Sequence, residues 1–459
     1  MGVIGACVAI LFVLLLIGAL ASPRYALLLL IVLFPLKQLL QASFGYFQSN
    51  GAQINIAVAL AAGFVVIQCM SRGVPVLRGY WQGVTACIAL FYSQVLLGVL
   101  YTPAQARPAA IYFLSDLWPY AILLFVLMPM LMTRLEDFRR VVPLLMFFGG
   151  LITVLIIIHP QARDIAGRFV LIIGPPRGGS ETTGNPLATA ELGGMLLIAG
   201  VLFRPEAGNR LHTAIRIFAI AAGLAIAVRS GSRGQFLMAT GCAALMIPLA
   251  YRVKNIGGFI AGCLGVLLVL VVAFAAKELL VTGEGTRRWD ANALLEGLFA
   301  RLNEGGRIFS QYVSSPVYYL TGMGTSAYNA FSSDARSYGY PHNTAIEAIT
   351  EYGLMGVTIL CSALYLTFRW GKRLIGLYRE DPAMRGAAAI LAAVTLYSVL
   401  LSLKQGSLIS LPTFFGWMIM LAKVGRAEIE MVAHEHAQYE HEYSEYTDAD
   451  GTHHEGRAA

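Results

Sequence analysis

The feature that most constrains this chain is the recurrence of apolar runs about 20 residues long, the length that a helix needs to cross a bilayer. Lipid offers no partners to unpaired backbone groups, so each run is predicted to be helical. Apolar residues make up 57% of the 459 residues and charged residues only 13%, whereas a soluble domain carries about 25% charge. The sequence therefore predicts an all-α polytopic membrane protein.

The runs of spanning length define the predicted helices. They lie near residues 3–20, 25–40, 54–70, 82–101, 111–132, 141–158, 187–203, 212–228, 235–251, 258–280, 353–369, 386–403 and 407–423. Pro35 is expected to kink the second run, because proline lacks a backbone donor and clashes with the preceding turn. The last two runs are separated only by residues 404–406, so they form either two spans or one re-entrant hairpin. We therefore predict about 12–14 transmembrane helices, with the first run retained rather than cleaved as a signal peptide.

Basic residues accumulate in alternate loops, which the positive-inside rule places in the cytoplasm. These residues are Arg24, Arg72, Arg78, Arg134, Arg139, Arg140, Arg204, Arg210, Arg216, Arg252, Lys254, Arg369, Lys372, Arg373, Arg379, Arg385, Lys423 and Arg426. The opposite, periplasmic side then carries two long loops, 159–186 and 281–352, and a short turn that holds Arg229 and Arg233. Two arginines on the side with few charges break the pattern. Such exceptions are typical of functional sites, because ionisable groups at membrane depth are costly.

The chain accordingly divides into four predicted parts. They are transmembrane helices 1–10 over residues 1–280, a periplasmic loop over 281–352, C-terminal transmembrane helices over 353–426 and a tail over 427–459. The tail is acidic, holds five of the eight histidines and shows no apolar periodicity. A disordered cytoplasmic tail is therefore predicted, and weak binding of Zn²⁺ or Ni²⁺ by its histidines is the alternative.

The two long loops differ in composition. Proline and glycine are dense in loop 159–186, so an irregular structure is expected there. Its most prominent charge is Arg177, and the loop is either a connector or a ligand-contacting segment. In the second long loop, residues 290–302 place leucines on one helical face, which predicts a helix lying on the membrane surface. Another short helix is predicted to begin at Arg307 and to end in a glycine turn near 322–324.

The most distinctive polar stretch spans residues 320–356 and centres on the tripeptide PHN, in which His342 precedes Asn343. Thr344 and Glu347 have the spacing of a capping box, so a helix is predicted to begin here. The partial positive charge of a helix N-terminus favours a nearby anion, and a neutral imidazole can accept a proton from a hydroxyl group. The alternative is an ordinary polar loop that leads into a capped membrane helix.

Four arginines are predicted on the same face of the membrane as this tripeptide: Arg177, Arg229, Arg233 and Arg307. A guanidinium group binds phosphate oxygens bidentately and cannot lose its charge. Together with a histidine base, arginines suit a reaction in which a lipid-linked diphosphate leaves a sugar while a hydroxyl group attacks. The arginines would stabilise the charge that builds on the leaving group, as a divalent cation does in other enzymes.

Other motifs add little. Tyr340 is placed to stack on a sugar ring, as are Tyr328, Tyr338 and Tyr352, although aromatic belts at the membrane interface explain any one of them. The sequence contains no DxD pair, no GxSxG and no CxxC, and its six cysteines all fall in apolar runs. Neither a metal site nor a disulfide framework is therefore predicted. The net charge of +7 is that of a membrane protein with basic loops and does not indicate nucleic acid.

Several segments resemble motifs of the O-antigen ligase and O-antigen polymerase superfamily. The sequence SGSRG at 230–234 is similar to its SRG motif, and Arg307 ahead of PVYYLTGMG is similar to the segment that follows. PHNTAIEAITEYGLMG, at 341–356, resembles the HNxxLE…GxxG signature. TGNPLA at 183–188 resembles an N-P-N-x-A segment, except that Leu187 replaces the second asparagine.

The resemblance covers roughly residues 165–370. It implies a GT-C-like helical fold and a glycosyltransferase of the bacterial inner membrane whose active site faces the periplasm. Such an enzyme moves a glycan from undecaprenyl diphosphate to a hydroxyl group of the lipid A core, with no metal or other cofactor. By motif, Arg233 and Arg307 would contact the diphosphate, and His342 would be the base or would orient the acceptor. Glu347 is the candidate partner of His342. The remaining candidate substrate contacts are Arg177, Arg229, Asn343 and Tyr340.

Two alternatives stay open. A polymerase would use the same donor and motifs but take another lipid-linked repeat as its acceptor. A polysaccharide transporter or flippase would use the arginines as an anion-binding gate. Few charges are expected inside the predicted spans, with Asp116 as the main buried acid, and no internal repeat is visible. Both observations weigh against a transporter.

Overall fold

The molecule is mainly helical. In the computed structural model 81% of the chain is helix. The structure describes residues 2–165, 167–177, 180–205, 208–251, 255–258, scattered positions between 260 and 275, 291–331, 339, 341–405, 407–409 and 413–451. In chain order the helices are α1 (Val3–Ala21), α2 (Pro23–Ile31), α3 (Leu33–Ser43), α4 (Gly45–Ser49), α5 (Gly51–Ser71), α6 (Gly83–Tyr101), α7 (Arg107–Met130), α8 (Leu135–Ile158), α9 (Pro186–Leu202), α10 (Arg210–Arg229), α11 (Arg233–Tyr251), α12 (Ala291–Val313), α13 (Val317–Thr321), α14 (Tyr328–Phe331), α15 (Thr344–Leu377), α16 (Pro382–Gln405) and α17 (Thr413–Gly451).

Nine helices of the described part are long and apolar enough to cross a membrane, and the number is ten if the bent pair α2 and α3 forms one span. The prediction of a multi-pass membrane protein is confirmed at this level, although the count is below the 12–14 predicted. Three predicted spans make the difference. Helix α9 has only 17 residues, charged residues interrupt α17, and the predicted span 258–280 falls largely outside the described residues.

The predicted kink in the second span is confirmed. Helices α2 and α3 meet at an angle of 71°, and the break lies at Val32, whose φ and ψ are −93° and 4°. Pro35 causes a break at this point, because its ring excludes the carbonyl of Ile31 and it has no N–H to donate.

The prediction of irregular structure in loop 159–186 is wrong, and the chain is therefore not entirely α-helical. Strands β1 (Ala162–Ile165), β2 (Arg168–Arg177) and β3 (Ser180–Thr183) form an antiparallel sheet in the order β1-β2-β3. The register between β2 and β3 shifts on both sides of Gly174. Such irregularities accommodate the two prolines that follow, because proline cannot donate to a regular ladder.

The second long loop contains one long helix where two were predicted. Helix α12 runs without interruption through Arg307, which lies within it rather than at the start of a second helix. The Gly305-Gly306 pair suggests a break, but tertiary packing overrides helix propensity here. A Cβ atom on Gly305 would lie 2.6 Å from the Cδ1 of Ile346, so the missing side chain lets α12 approach α15.

Helix α15 is broken at Gly353, whose φ and ψ are 62° and −162°. The predicted glycine turn fills this break. The backbone N–H groups of Met323 and Gly324 donate to carbonyls three and two residues before the break, at 2.9 and 3.0 Å. A Cβ atom on Gly353 would lie 2.5 Å from the backbone nitrogen of Gly322. Only glycine fits at this contact, because φ is positive and the two backbones touch.

A buried carboxylate completes this contact. Glu351 is 1% exposed, and its two oxygens accept hydrogen bonds from the backbone nitrogens of Ser326 (2.7 Å) and Tyr328 (3.1 Å). Gln94 of α6 donates to the carbonyl of Tyr352 at 2.7 Å. We call residues 322–328 and 350–353 the glycine junction. It holds the second long loop against the C-terminal part of α6.

The C-terminal helix extends beyond the predicted span. Helix α17 continues through Gly451, which differs from the prediction that the tail from residue 427 is disordered. Glu428 is buried and accepts hydrogen bonds from the backbone nitrogen of Leu135 (2.7 Å) and from the hydroxyl group of Tyr378. Lys423 is also buried and donates to two carbonyls near the end of α7. The beginning of the tail is therefore part of the bundle.

Candidate functional site

The helices alternate in direction, so their termini gather at two ends of the bundle. The sheet end contains β1–β3, the N-termini of α9, α11 and α15, and the C-terminus of α16. The basic end contains the loops with many arginines, including residues 134–140 and 204–216. Three of the four segments that resemble family motifs begin α9, α11 and α15, and these three lie at the sheet end.

The last turn of α16 links these three N-termini. The hydroxyl group of Thr344, the first residue of α15, lies 3.0 Å from that of Ser402. A Cβ atom on Gly234 of α11 would lie 2.5 Å from the Lys404 Nζ atom, so the ammonium group rests against this glycine. The Gln235 Nε2 atom donates to the carbonyl of Leu187 in α9 at 2.9 Å.

A polar cavity of about 250 Å³ lies beside this turn, between α3, α7, α9, α16 and α17. It is lined by Phe34, Gln38, Asp116, Tyr120, Leu124, Asn185, Leu187, Ala188, Glu191, Ser398, Leu401, Ser402, Gln405, Thr413 and Phe414. Asn185 caps α9 with its side chain at 2.9 Å from the Leu187 nitrogen, and Gln38 donates to the Asn185 carbonyl at 3.2 Å. The segment TGNPLA thus forms part of the cavity wall.

Some polar atoms of this cavity have no partner within the described part of the chain. They are the hydroxyl oxygen of Ser398, which is 3% exposed, and the amide oxygen of Gln405, which is 8% exposed. A buried polar group without a hydrogen bond costs about 1–3 kcal/mol. The cavity is large compared with the volume of a water molecule. It therefore suits a ligand that presents hydroxyl groups.

The acidic residues differ from the prediction. Asp116, expected to be buried, lines the cavity but is exposed, whereas Glu347 and Glu351 are 2% and 1% exposed. Glu191 also lines the cavity, and sequence reasoning missed it. The available signal was an isolated acid in the otherwise apolar run after NPLATA, where a charge needs a partner or a function. Lys404 was noted only as part of a separator between two spans.

Helix α15 begins as predicted, but its cap is different. Asn343 is the N-cap, and its side-chain oxygen accepts from the backbone nitrogens of Ala345 (2.9 Å) and Ile346 (3.2 Å). The predicted capping box of Thr344 with Glu347 is therefore wrong. Asparagine is among the best N-cap residues, and its side-chain oxygen here serves the helix rather than a free contact surface.

His342 precedes this cap and is exposed, with φ of +52°. Glu347 does not face it. The carboxylate oxygens of Glu347 accept from the hydroxyl group of Ser407 (3.1 Å) and the backbone nitrogen of Leu408 (3.0 Å). The predicted pairing of Glu347 with His342 is therefore replaced by a buried contact to the loop after α16. The physical reason is depth: Glu347 lies a turn inside the bundle, while the histidine lies at its rim.

The predicted arginines have different surroundings. Arg233 is the half-buried first residue of α11. Arg229 packs its guanidinium carbon 4.0 Å from the centroid of the Phe169 ring and lies 3.8 Å from a carboxylate oxygen of Asp164, so it contacts the sheet. Arg307 is exposed and donates to the carbonyl of Phe331. The shared contact of these groups with one ligand stays a prediction.

Two candidate residues lack described side chains. Arg177 ends strand β2, but its side chain lies outside the described residues, and Tyr340 lies outside them entirely. No protein-family model matches this chain, and no curated protein sequence matches it. The family resemblance therefore rests on the quoted motifs, and the site rests on the geometry at the sheet end.

Proposed function

We propose that this protein is a membrane glycosyltransferase that moves a glycan from undecaprenyl diphosphate to an acceptor hydroxyl group. The observation that carries the proposal is the convergence of three motif-like segments on the last turn of α16, beside a polar cavity. The reaction would take place at the sheet end, on the periplasmic side of the bacterial inner membrane. The bundle would then be a GT-C-like fold.

The donor diphosphate fits the electrostatics at the start of α11. Arg233 supplies a guanidinium fork, and Lys404 places an ammonium group against the neighbouring Gly234. The N-termini of α9, α11 and α15 add partial positive charge at the same end. Helix N-termini and arginine together form a site for phosphate oxygens. Arg307 of α12 would contact the diphosphate from the outer side.

The acceptor fits the cavity. Ser398 and Gln405 offer unpaired polar atoms, and Glu191 adds a carboxylate. Sugar hydroxyl groups would complete these hydrogen bonds. The lipid A core is the acceptor that we favour, and a lipid-linked repeat, which would make the protein a polymerase, is the alternative. Both present hydroxyl groups to the same cavity.

The chemistry follows from this placement. The acceptor oxygen attacks the anomeric carbon, the bond from that carbon to the diphosphate breaks, and the hydroxyl proton passes to His342. Arg233 and Arg307 stabilise the negative charge that builds on the departing diphosphate. General base catalysis by a positioned histidine contributes about 10²–10⁴ to the rate. No step needs a metal ion or another cofactor.

The test is glycan transfer by purified protein with a defined lipid-linked diphosphate donor and a lipid A core acceptor. Arg233→Lys keeps the charge but loses the fork, so kcat/KM should fall about 10- to 100-fold, as expected for the loss of a charge-assisted hydrogen bond. Arg72→Lys is the matched control, because Arg72 is exposed at the basic end. Equal loss in both variants contradicts the proposal. So does the absence of transfer by the wild type both to the lipid A core and to a lipid-linked repeat.

One observation favours a second candidate, a transporter or flippase. Glu191 lines the cavity in addition to Asp116, so the spans contain one acid more than the sequence analysis counted. Acids inside a membrane bundle are typical of proton-coupled transport. Proteoliposomes that contain a fluorescent lipid-linked oligosaccharide separate the two functions. A transporter moves the lipid across the bilayer without a new glycosidic bond, whereas a transferase makes the bond.

A further inference from the structure

A second polar cavity lies at the opposite, basic end of the bundle. It has a volume of about 310 Å³ and opens between α8, α10 and α16. It is lined by Arg139, Arg140, Val142, Pro143, Leu144, Phe203, Arg204, His212, Ala383, Gly386, Ala387 and Ile390. Three arginines thus share one cavity with apolar walls. The proposed glycosyl transfer takes place at the other end of the bundle and does not use it.

Basic side chains dominate the polar lining of the cavity. Glu136 accepts from Arg139 Nε and from Arg140 Nε, each at 2.5 Å. The lining of the cavity contains three arginines and, among the described residues, no acidic side chain. Asp381, which precedes α16, accepts from the backbone nitrogens of Ala383 and Met384 at 2.8 and 3.0 Å. That carboxylate is occupied in capping its own helix.

Arg204 is the most available of the three arginines. Its guanidinium carbon lies 5.2 Å from the centroid of the Tyr251 ring. Within the described residues it makes this contact and no hydrogen bond. A guanidinium group has five N–H donors in a planar fork, and phosphate oxygens match that geometry. Arg140 uses its Nε atom for Glu136, which leaves its two terminal nitrogens for a second contact with an anion.

We propose that this cavity binds the phosphate headgroup of an anionic phospholipid. The arginines would hold the phosphate, and an acyl chain would lie along the apolar wall to which the half-buried Pro143 and Leu144 contribute. A soluble anion would need only the arginines, whereas this cavity joins them to apolar surface at a membrane-spanning helix. Basic cavities between transmembrane helices are a known geometry for headgroup binding.

The test measures the thermal stability of purified full-length protein against added ligand. The ligands are dihexanoyl phosphatidylglycerol, dihexanoyl phosphatidylcholine and inorganic phosphate. A ligand that binds only the folded state raises its free energy of unfolding by RT ln(1 + L/Kd), where L is the free ligand concentration, so at one concentration the tighter ligand gives the larger shift. We expect phosphatidylglycerol to stabilise the wild type at concentrations at which phosphatidylcholine and inorganic phosphate have little effect.

The variant Arg140→Gln/Arg204→Gln should raise the apparent Kd for phosphatidylglycerol about 10- to 100-fold, the effect of losing a charge-assisted hydrogen bond. Arg72→Gln at the same end lies outside the cavity and should bind as the wild type does. The melting temperature without ligand shows whether the double variant folds, and Arg204→Lys is the milder substitute if it does not. Unchanged affinity in the variant, or equal stabilisation by inorganic phosphate, overturns the lipid assignment.

Discussion

The glycine junction and the polar cavity at the sheet end both contain buried polar groups, but the two regions differ in how these groups are hydrogen-bonded. In the junction both oxygens of Glu351 accept backbone hydrogen bonds, and the carbonyls freed at Gly353 are also paired. In the cavity, Ser398 and Gln405 each keep an atom without a partner among the described residues. The pairing of the Glu351 carboxylate and of the broken backbone inside the protein indicates architecture, because neither group leaves an atom for a ligand. The junction has one buried polar atom without a partner among the described residues, the hydroxyl oxygen of Tyr352.

The contrast separates two kinds of polar residue in a membrane protein. A change in the junction should lower stability and leave the chemistry of the folded protein intact. A change at the cavity or its rim should lower activity and leave stability nearly intact. The predictions below test this separation, from the largest expected effect to the smallest.

The largest effect is expected at His342, which lies at the rim of the bundle before the N-terminus of α15. His342→Ala should reduce glycan transfer about 10²–10⁴-fold, as loss of a general base does, with an unchanged melting temperature because the side chain is exposed. His342→Asn is the informative companion. Asparagine tolerates the positive φ of this position but cannot accept the proton. An Asn variant that is as active as the wild type would show that the position matters only for its backbone.

The next effect is expected in the junction. Glu351→Ala removes the acceptor of two buried backbone donors, those of Ser326 and Tyr328. Each unpaired donor costs about 1–3 kcal/mol, so the variant should melt at a clearly lower temperature. The fraction that remains folded should bind donor normally. A normal melting temperature with loss of glycan transfer would show that Glu351 acts in the active site. The proposed difference between the glycine junction and the cavity would then be wrong.

The sequence reveals features that depend on neighbours along the chain. Runs of 20 apolar residues, a proline in a helix and an asparagine before a helix act within one or two turns. The bend before Pro35 was therefore predictable. The start of α15 was also predicted, although its cap is Asn343 and not the predicted pair of Thr344 and Glu347. Glycines near 322–324 also indicated a turn, although not the broken helix that the turn fills.

Features that depend on distant partners were not predictable. Glu347 contacts Ser407, 60 residues away, so its spacing from Thr344 suggested a local capping role that the fold does not use. The sheet in loop 159–186 depends on pairing between strands, which proline content alone does not rule out. The candidate cavity depends on α16, whose Ser398 and Gln405 carry no recognisable motif. Packing of whole helices brings such residues together, and a single sequence does not show it.

A third prediction concerns the C-terminal helix and again expects that a buried carboxylate paired inside the protein supports stability. Glu428 resembles Glu351, because it is buried and has two partners, the Leu135 nitrogen and the Tyr378 hydroxyl group. Truncation after Arg426 should therefore destabilise the bundle by about 1–3 kcal/mol or more, and Glu428→Ala should reproduce most of this loss. Truncation after residue 438 keeps these contacts and is the control. Equal melting temperatures of all three proteins would show that the beginning of the tail is dispensable.

The smallest effect compares two serines of α16 that line the same cavity. The Ser402 hydroxyl group donates to the Val399 carbonyl at 2.7 Å and lies 3.0 Å from the Thr344 hydroxyl group. The Ser398 hydroxyl oxygen has no partner within the described part of the chain. Removing a paired hydroxyl group costs about 0.5–1.5 kcal/mol, whereas removing an unpaired one is neutral or stabilising.

Ser402→Ala should therefore lower the melting temperature slightly, and Ser398→Ala should keep or raise it. Transfer should show the reverse order. If an acceptor hydroxyl group completes the hydrogen bond of Ser398, its loss should raise the KM for the acceptor about 2- to 10-fold, the equivalent of one hydrogen bond, while the KM for the donor stays unchanged. Titrations of donor and acceptor with both variants give the two KM values, and melting curves of the same proteins give their melting temperatures. A Ser398→Ala protein that is less stable and fully active would show that Ser398, like Glu351, has a structural role. Its hydroxyl group would then no longer be evidence that the cavity binds a ligand.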